Sequence, residues 1–316
     1  MRKELVILSV AFTFHAIVNA QQDPLFSQFM HNRLAINPGY AGSEEMVHMT
    51  ALNRQQWIGF DGAPSVTVLN VHSPFRLFGI PSGIGLSILN DRLGFDKNLS
   101  FSASYAYRLD LGNGKLGIGI NLGIMNRALE PKWIIPDGPD FQPPENDRLI
   151  PSGNESRLAF DLGTGLFYNT EKFFAGISTT HLNQAKIRYT TTEGSSFIQR
   201  HYYITAGYKA VMSNPLFELT PSVLAQSDGH ITHFHLNTVL TYNKKLWGGV
   251  SYRPGEALVA MIGIELFNGV RVGYSYDYST TSLHNYTSGS HEFMIGYSFS
   301  ISVDRTPEKY KSIRFL

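Results

Sequence analysis

The sequence has no cysteine, few charged residues and no long apolar run after its first twenty residues. Of 316 residues, 16% are charged and none is cysteine, which excludes disulfides, thiolate metal sites and a cysteine-linked lipid anchor. Beyond residue 20 no segment reaches the roughly 18 consecutive apolar residues that suggest a transmembrane helix. A formal net charge of +1 gives no argument for nucleic-acid binding.

The first 20 residues have the pattern of a secretory signal peptide. Arg2 and Lys3 precede an apolar run over residues 5–18, and residues 18–20 (VNA) form a small-residue cleavage pattern. We therefore expect cleavage after Ala20 and export of the mature chain. The alternative is a retained N-terminal helix or anchor.

The remaining sequence is dominated by strand-like alternation. Between residues 46 and 303, segments alternate apolar with small or polar side chains at period two, which predicts strands rather than helices. About fourteen such segments occur, an even number as in bacterial outer-membrane barrels. The predicted strands lie near residues 46–57, 64–73, 82–91, 97–110, 115–126, 157–169, 173–183, 200–212, 216–226, 233–242, 246–253, 257–266, 270–279 and 290–303.

The segment KLGIGINLGIM (residues 115–125) shows the unusual feature of these strands. One face carries leucine and isoleucine, whereas the other carries Gly117, Gly119, Asn121 and Gly123. Glycine brings no side chain to a core. In a soluble β-sandwich the apolar face would be the core. In a transmembrane barrel the apolar face contacts lipid, and the small polar face lines the interior.

Connection lengths favour the barrel. Short turns at residues 112–115, 169–172, 213–215, 243–245 and 268–269 alternate with longer loops at 127–156, 184–199, 227–232 and 280–289. Outer-membrane barrels have short periplasmic turns and long outer loops. We therefore predict an all-β fold, an antiparallel up-and-down transmembrane barrel, with a large soluble β-protein as the alternative. Aromatic residues near strand ends are expected at the membrane interfaces, namely Trp57, Tyr168, Phe173, Tyr242, Trp247, Tyr252 and Tyr278.

The segment QQDPLFSQFMHNRLAINPGYAGS (residues 21–43) has no strand period. It resembles the start of the PorP/SprF family of type IX secretion system outer-membrane proteins. The matching residues are Gln22, Asp23, Pro24, Phe26, Ser27, Gln28, Phe29, Met30, Asn32, Asn37, Pro38, Tyr40, Ala41, Gly42 and Ser43. The resemblance continues at residues 53–57, 62–64, 176–184, 219–224 and 312–316, so it covers essentially the whole mature chain.

The resemblance implies a multi-pass barrel in the Gram-negative outer membrane. It implies a role in export or cell-surface anchoring of cargo proteins, including gliding adhesins, that carry a C-terminal sorting domain. The implied partners are periplasmic ring and motor proteins of the secretion system. The role would depend on protein–protein contact rather than catalysis, and no cofactor or nucleic acid is expected. The alternative function is a small-solute porin.

The chain then divides into four parts. Residues 1–20 are the signal peptide, residues 21–45 fill the lumen or pack under the periplasmic rim, and residues 46–303 form the barrel. Residues 304–316 form a basic periplasmic tail that either docks a ring protein or frays.

Partner-binding residues are predicted in three places. The hypothesis takes Asp23, Pro24, Phe26, Gln28, Phe29, Asn32, Asn37, Pro38 and Tyr40 from the N-terminal segment, Trp133 and Phe141 from the proline-rich loop 127–156, and Arg314 and Phe315 from the tail. Long loops in compact domains are often functional, which favours the second group.

Polar strand residues are predicted to face the lumen. They are Arg108, Asp161, Glu265, Arg271 and Asp277, and they form either a selectivity or cargo-docking lining or a charge network that braces the wall. His230, His233 and His235 are close enough in sequence for a metal site, but no further ligand is placed by sequence. We expect these histidines to be solvated near the outer rim. The sequence does not contain the GxSxG motif that would indicate a hydrolase.

Overall fold

Fourteen antiparallel strands close into a barrel in the computed structural model, which describes residues 23–131, 153–189, 195–266 and 269–300. Each strand pairs with its neighbours in sequence, and the first closes on the last with Val47 opposite Phe299. The strands are β1 Val47–Gln55, β2 Ser65–Leu77, β3 Ile80–Leu93, β4 Asp96–Leu111, β5 Gly114–Leu129, β6 Glu155–Asn169, β7 Phe173–Thr180, β8 His201–Tyr208, β9 Phe217–Ser227, β10 Thr232–Tyr242, β11 Leu246–Arg253, β12 Ala257–Glu265, β13 Val270–Ser279 and β14 Ser290–Phe299. The predicted fold is confirmed.

One predicted strand is interrupted. The segment predicted at 200–212 pairs with β9 through Gly207, and the pairing resumes only at Ala210–Val211. Pro221 of β9 lies opposite this gap, and proline has no N–H to donate to a ladder. The Lys209 N–H donates instead to the Lys172 carbonyl oxygen at 2.6 Å. Pro221 therefore interrupts the backbone hydrogen bonding between β8 and β9.

The segment 184–199, predicted as a loop, contains a small hairpin. Lys186–Arg188 pairs with Ser195–Phe197 in a separate two-stranded sheet. Ile187 is buried and packs with Ala159 of β6. This hairpin therefore packs against the loop-rim end of β6.

The two faces of the wall differ as the alternation predicts. On β5, Ile118 and Ile120 point outward and are 43% and 52% exposed, whereas Gly117 and Gly119 point inward. The same outward pattern of large apolar side chains runs around the barrel, as on β14 with Phe293 and Ile295. A continuous apolar surface of this extent is far larger than a soluble monomer exposes. Membrane hydrocarbon covers such a surface in outer-membrane barrels.

The two ends of the barrel differ in their connections. Residues 78–79, 112–113, 170–172, 212–216 and 243–245 make short connections at one end, which we call the turn rim. The chain enters β1 and leaves β14 at the turn rim. The other end, the loop rim, carries the longer loops, with 94–95 and 254–256 as short exceptions.

Helical structure is limited to short pieces. The described residues contain one α-helix, Arg33–Ile36, and 3-10 turns at Phe29–His31, Pro38–Tyr40 and Ser282–Asn285. None of the helices in the described part of the chain has the length and apolar character needed to cross a bilayer.

Single cysteines test the orientation of the barrel, because the chain has no cysteine of its own. Tyr286 at the loop rim is 71% exposed, and Phe78 at the turn rim is 94% exposed. Short turns face the periplasm in this architecture. We therefore expect a large membrane-impermeant maleimide to label Tyr286→Cys on intact cells, and Phe78→Cys only after the outer membrane is permeabilised. The opposite labelling would show that the barrel is inverted.

Candidate functional site

The lumen is filled by the chain's own N-terminal residues. Residues 23–44, here called the plug segment, enter at the loop rim and descend toward the turn rim. The Asp23 N–H donates to Nε2 of His201, the first residue of β8 at the loop rim, at 3.0 Å. Ala41 lies against Gly83, near the start of β3 at the turn rim. The segment therefore runs the length of the lumen before the chain turns into β1.

Apolar side chains hold the plug segment to three sectors of the wall. Phe26 packs in a cluster with Leu52, Val68 and Trp247. Burial of each such side chain contributes about 1.5–3 kcal/mol relative to exposure in water. The second and third clusters join Leu34, Tyr40 and Ala41 to Ala106, Phe167 and Phe174, and Phe29 and Ile36 to Tyr203 and Leu224.

Glycines on the inner wall make room for the plug backbone. A Cβ at Gly119 would lie 2.2 Å from the Gly39 nitrogen, and a Cβ at Gly83 would lie 2.0 Å from the Ala41 oxygen. A Cβ at Gly165 would lie 2.2 Å from Oδ1 of Asn37. Real Cβ atoms essentially never come closer than 3.0 Å. The glycine face of the strands is therefore the contact surface of the plug segment.

A buried charge network fixes the plug segment near the loop rim. The Ser27 and Gln28 N–H groups donate to the two carboxylate oxygens of Glu292, at 2.8 and 2.7 Å. The Ser27 hydroxyl donates to Asp277 at 2.7 Å. Arg54 pairs with Asp277 at 2.7 Å and with Glu292 at 3.3 Å, and Arg253 also pairs with Asp277. Two arginines thus balance two carboxylates that also bind plug backbone and hydroxyl groups.

Other side-chain and backbone polar groups of the plug segment also find partners on the wall. The Asn37 side chain donates to the Leu166 carbonyl oxygen at 2.9 Å, and Ser178 donates to the Ile36 carbonyl oxygen at 2.6 Å. Arg108 donates to the Gly39 carbonyl oxygen at 3.3 Å. These bonds satisfy groups that burial would otherwise leave unpaired, which stabilises the docked conformation.

The Asp23 carboxylate is held by three side chains at the loop rim. It accepts from Tyr203 at 2.6 Å and from Thr180 at 3.0 Å, and it lies 2.9 Å from Nε2 of His181. Nδ1 of His181 lies 2.8 Å from Oδ1 of Asp161. Burial alone would lower the pKa of His181, but Asp23 and Asp161 outweigh it and raise the pKa to about 10. His181 therefore links Asp23 of the plug segment to Asp161 of the wall.

A polar cavity of about 440 Å³ remains beside the plug segment. It is lined by residues of both charges, including Arg33, Glu44, Lys209, Glu218 and Lys244. Glu44 is the last residue of the plug segment and lies near the turn rim. Its carboxylate accepts from the Tyr40 hydroxyl at 2.6 Å and pairs with His48 at 2.6 Å. The part of the lumen nearest the turn rim is therefore charged and only partly filled.

The nine N-terminal residues of the partner-binding hypothesis lie in the plug segment. Phe26, Gln28, Phe29, Asn32, Asn37, Pro38 and Tyr40 are buried, whereas Asp23 and Pro24 are half-buried. In this conformation the seven buried residues contact the barrel's own wall. Trp133, Phe141, Arg314 and Phe315 lie outside the described residues, as do the signal peptide and the tail.

The five residues predicted to face the lumen lie on the inner side of their strands, but they do not form one network. Glu265 pairs with Arg271 at 2.8 Å near the turn rim, and Asp277 belongs to the network with Arg54. Asp161 contacts His181, and Arg108 donates to Gly39 and to Asn169. The charges therefore brace the wall and the plug segment at separate points.

Two expectations from the sequence are wrong. Trp247 is not at the membrane interface but faces the lumen, where its ring lies 5.1 Å from that of His31. His235 is not solvated but is 1% exposed, with its ring 5.8 Å from that of Phe29. In both cases the position within the strand alternation puts the side chain on the inner face.

The sequence analysis did not predict five wall residues that contact the plug segment. They are Arg54, Arg253, Glu292, His181 and His201. The alternation predicts that Arg54, Arg253, Glu292 and His201 face inward, whereas His181 follows β7 and has a left-handed backbone conformation (φ 54°). The alternation does not show which inward residues the plug segment reaches.

The fold and its filled lumen define an outer-membrane β-barrel closed by its own N-terminal segment. The type IX secretion system membrane protein family PorP/SprF matches residues 18–297. The chain therefore belongs to this family, and its place is the outer membrane. No curated protein matches the sequence.

Solved structures with a similar outline include several outer-membrane barrels. The Acinetobacter baumannii outer membrane protein Omp33 has 7% identity and a TM-score of 0.45, covering 82% of this chain and 100% of that chain. The Ralstonia pickettii toluene transporter TbuX has 11% identity and a TM-score of 0.49, covering 84% and 92%. The translocator domain of the autotransporter NalP from Neisseria meningitidis has 12% identity and a TM-score of 0.41, covering 87% and 95%.

The glycine contact predicts a gain of conductance on substitution. Gly119→Ala places a Cβ 2.2 Å from plug backbone, so we expect the plug segment to be displaced and the purified barrel to conduct ions in a planar bilayer. Gly296→Ala is the matched control, because its Cβ would meet nothing closer than 3.5 Å. Equal conductance in Gly119→Ala, Gly296→Ala and the wild type would contradict the close contact.

The buried network predicts a large loss of stability when one partner is removed. Arg54→Met leaves the Glu292 carboxylate without its cation, so we expect a loss of about 3–5 kcal/mol in the free energy of unfolding. Lys97→Met removes an exposed ion pair with Glu130 and should cost about 0–1 kcal/mol. Urea unfolding in lipid or detergent measures both. Similar losses for the two variants would show that the network is not important for stability.

Proposed function

We propose that this protein is a component of the type IX secretion system that supports export or cell-surface anchoring of cargo proteins by protein–protein contact. Membership of the PorP/SprF family supports the proposed role in the type IX secretion system. The single observation that favours contact over passage is the plug segment, which runs the length of the lumen and occupies most of it near the loop rim. A barrel filled in this way is suited to present its rims to other proteins.

The plug segment is held too firmly for a simple pore. It buries apolar side chains in three clusters, and its backbone is packed against wall glycines. Its polar groups bond to Glu292, Asp277 and Leu166 of the wall. Since these contacts act together, opening the lumen requires the loss of many of them at once. Solute diffusion through the resting barrel is therefore not the favoured function.

The rims are the proposed partner surfaces. The turn rim carries the charged cavity beside Glu44, Lys209 and Lys244, and it suits periplasmic ring and motor proteins through charge complementarity. The loop rim exposes apolar and aromatic side chains, including Ile58, Phe60 and Tyr286, and it suits cargo at the cell surface. The buried residues of the plug segment can take part only if the segment leaves the lumen.

Cells that lack this gene test the proposal. We expect cargo with a C-terminal sorting domain to accumulate inside these cells, because the export apparatus lacks a docking component. Complementation with the wild type or with Gly296→Ala should restore export. Two readouts are measured together: cargo in the medium or on the cell surface, and the rate of small-solute uptake.

The two readouts separate secretion from solute transport. Normal cargo export combined with slower solute uptake in cells without the gene would contradict the proposal and identify a porin. Lost export with unchanged uptake supports a secretion component that acts by contact.

A further inference from the structure

Two histidines and an aspartate converge at the loop rim. Asp23 of the plug segment, His181 just after β7 and His201 at the start of β8 place one potential ligand atom each within 4.8 Å of one another. The three residues come from three separate segments of the chain. A group bound among them would join the plug segment to the wall.

The spacing of the donor atoms suits a metal ion. Nε2 of His181 lies 2.9 Å from Oδ1 of Asp23, and Nδ1 of His201 lies 3.6 Å from Oδ2 of Asp23. Zinc binds histidine nitrogen and carboxylate oxygen at about 2.0–2.2 Å, and tetrahedral geometry then separates ligand atoms by about 3.3–3.6 Å. Metal ligands must be deprotonated, so an ion bound here displaces the proton between His181 and Asp23 and the proton that Nδ1 of His201 donates to the Gln199 carbonyl oxygen at 3.1 Å.

A second carboxylate orients one of the imidazoles. Asp161 bonds to Nδ1 of His181 at 2.8 Å, so Nε2 points toward Asp23. Metal-binding histidines almost always have such a partner on the ring nitrogen that does not bind the metal. Two carboxylates next to two imidazoles also provide negative charge for a cation.

Space for a further ligand lies beside the cluster. A cavity of about 90 Å³ is lined by Asp23, Asp161, His181 and Tyr203. Within the described residues, Oγ of Ser100 and Oδ1 of Asn121, which also line this cavity, have no hydrogen-bond partner. The cavity is mostly apolar, but these two unpaired polar atoms and the Asp23 carboxylate can bind a water molecule there, and water commonly completes the coordination of an ion with three protein ligands.

We propose that Asp23, His181 and His201 bind one divalent transition-metal ion of the zinc type. Imidazole and carboxylate ligands suit such ions, whereas calcium prefers six to eight oxygen ligands, a set that the described residues do not provide here. The bound ion replaces the hydrogen bond between His181 and Asp23 and fastens the plug segment to β7 and β8. Metal would then stabilise the closed barrel.

Calorimetric titration tests the proposal on the purified full-length protein. The protein is stripped with a chelator in detergent and titrated with Zn²⁺. We expect one binding site, at least 100-fold weaker binding in His201→Gln, and 10–100-fold weaker binding in Asp161→Asn, which removes only the orienting carboxylate. His233→Gln, at the same rim but outside the cluster, is the matched control and should bind as the wild type does.

A second readout distinguishes the loss of a metal-binding side chain from a failure of the variant to fold. Heat-modified gel mobility should show that each variant still forms a closed barrel, and added Zn²⁺ should raise the unfolding temperature of the wild type and of His233→Gln but not of His201→Gln. No binding by the folded wild type would overturn the proposal and leave a hydrogen-bonded cluster only. Equal binding by wild type and His201→Gln would overturn it as well, because the ion would then bind elsewhere.

Discussion

The close contact between plug backbone and wall glycines is the constraint on which the rest of the structure depends. Strands such as β5 must present large apolar side chains to lipid on one face. On the opposite face the plug segment packs directly against the strand backbone. Only glycine allows this contact at Gly83, Gly119 and Gly165. The two requirements together explain why isoleucine alternates with glycine. A soluble sheet would have no reason to keep glycine on one face.

The plug segment excludes water from the part of the lumen that it occupies, so the polar groups there need hydrogen-bond partners. Near the loop rim the wall and the plug segment supply these partners to each other. Arg54 and Arg253 neutralise Asp277 and Glu292, which also accept hydrogen bonds from Ser27 and Gln28. Removing the plug segment would leave these acceptors short of donors. Wall and plug segment therefore stabilise each other.

The sequence predicted the barrel well because lipid imposes a strict period of two on every strand. The inward position of Trp247 was also within reach of that rule, and the interruption at Pro221 was within reach of proline's missing N–H. The path of the plug segment was not, because residues 21–43 show no period. The contacts of Asp23 with His201, about 180 residues away, depend on closure of the whole barrel.

Cross-linking tests most directly whether the plug segment lies inside the barrel. Asn32 of the plug segment and Asn70 of β2 are hydrogen-bonded through their side chains and are buried. In a chain without other cysteines, a short bis-methanethiosulfonate cross-linker should join Asn32→Cys to Asn70→Cys in native outer membranes, seen as a mobility shift that reductant reverses. If the cross-linker leaves the two thiols unjoined and both react with a large maleimide, this segment does not lie in the lumen.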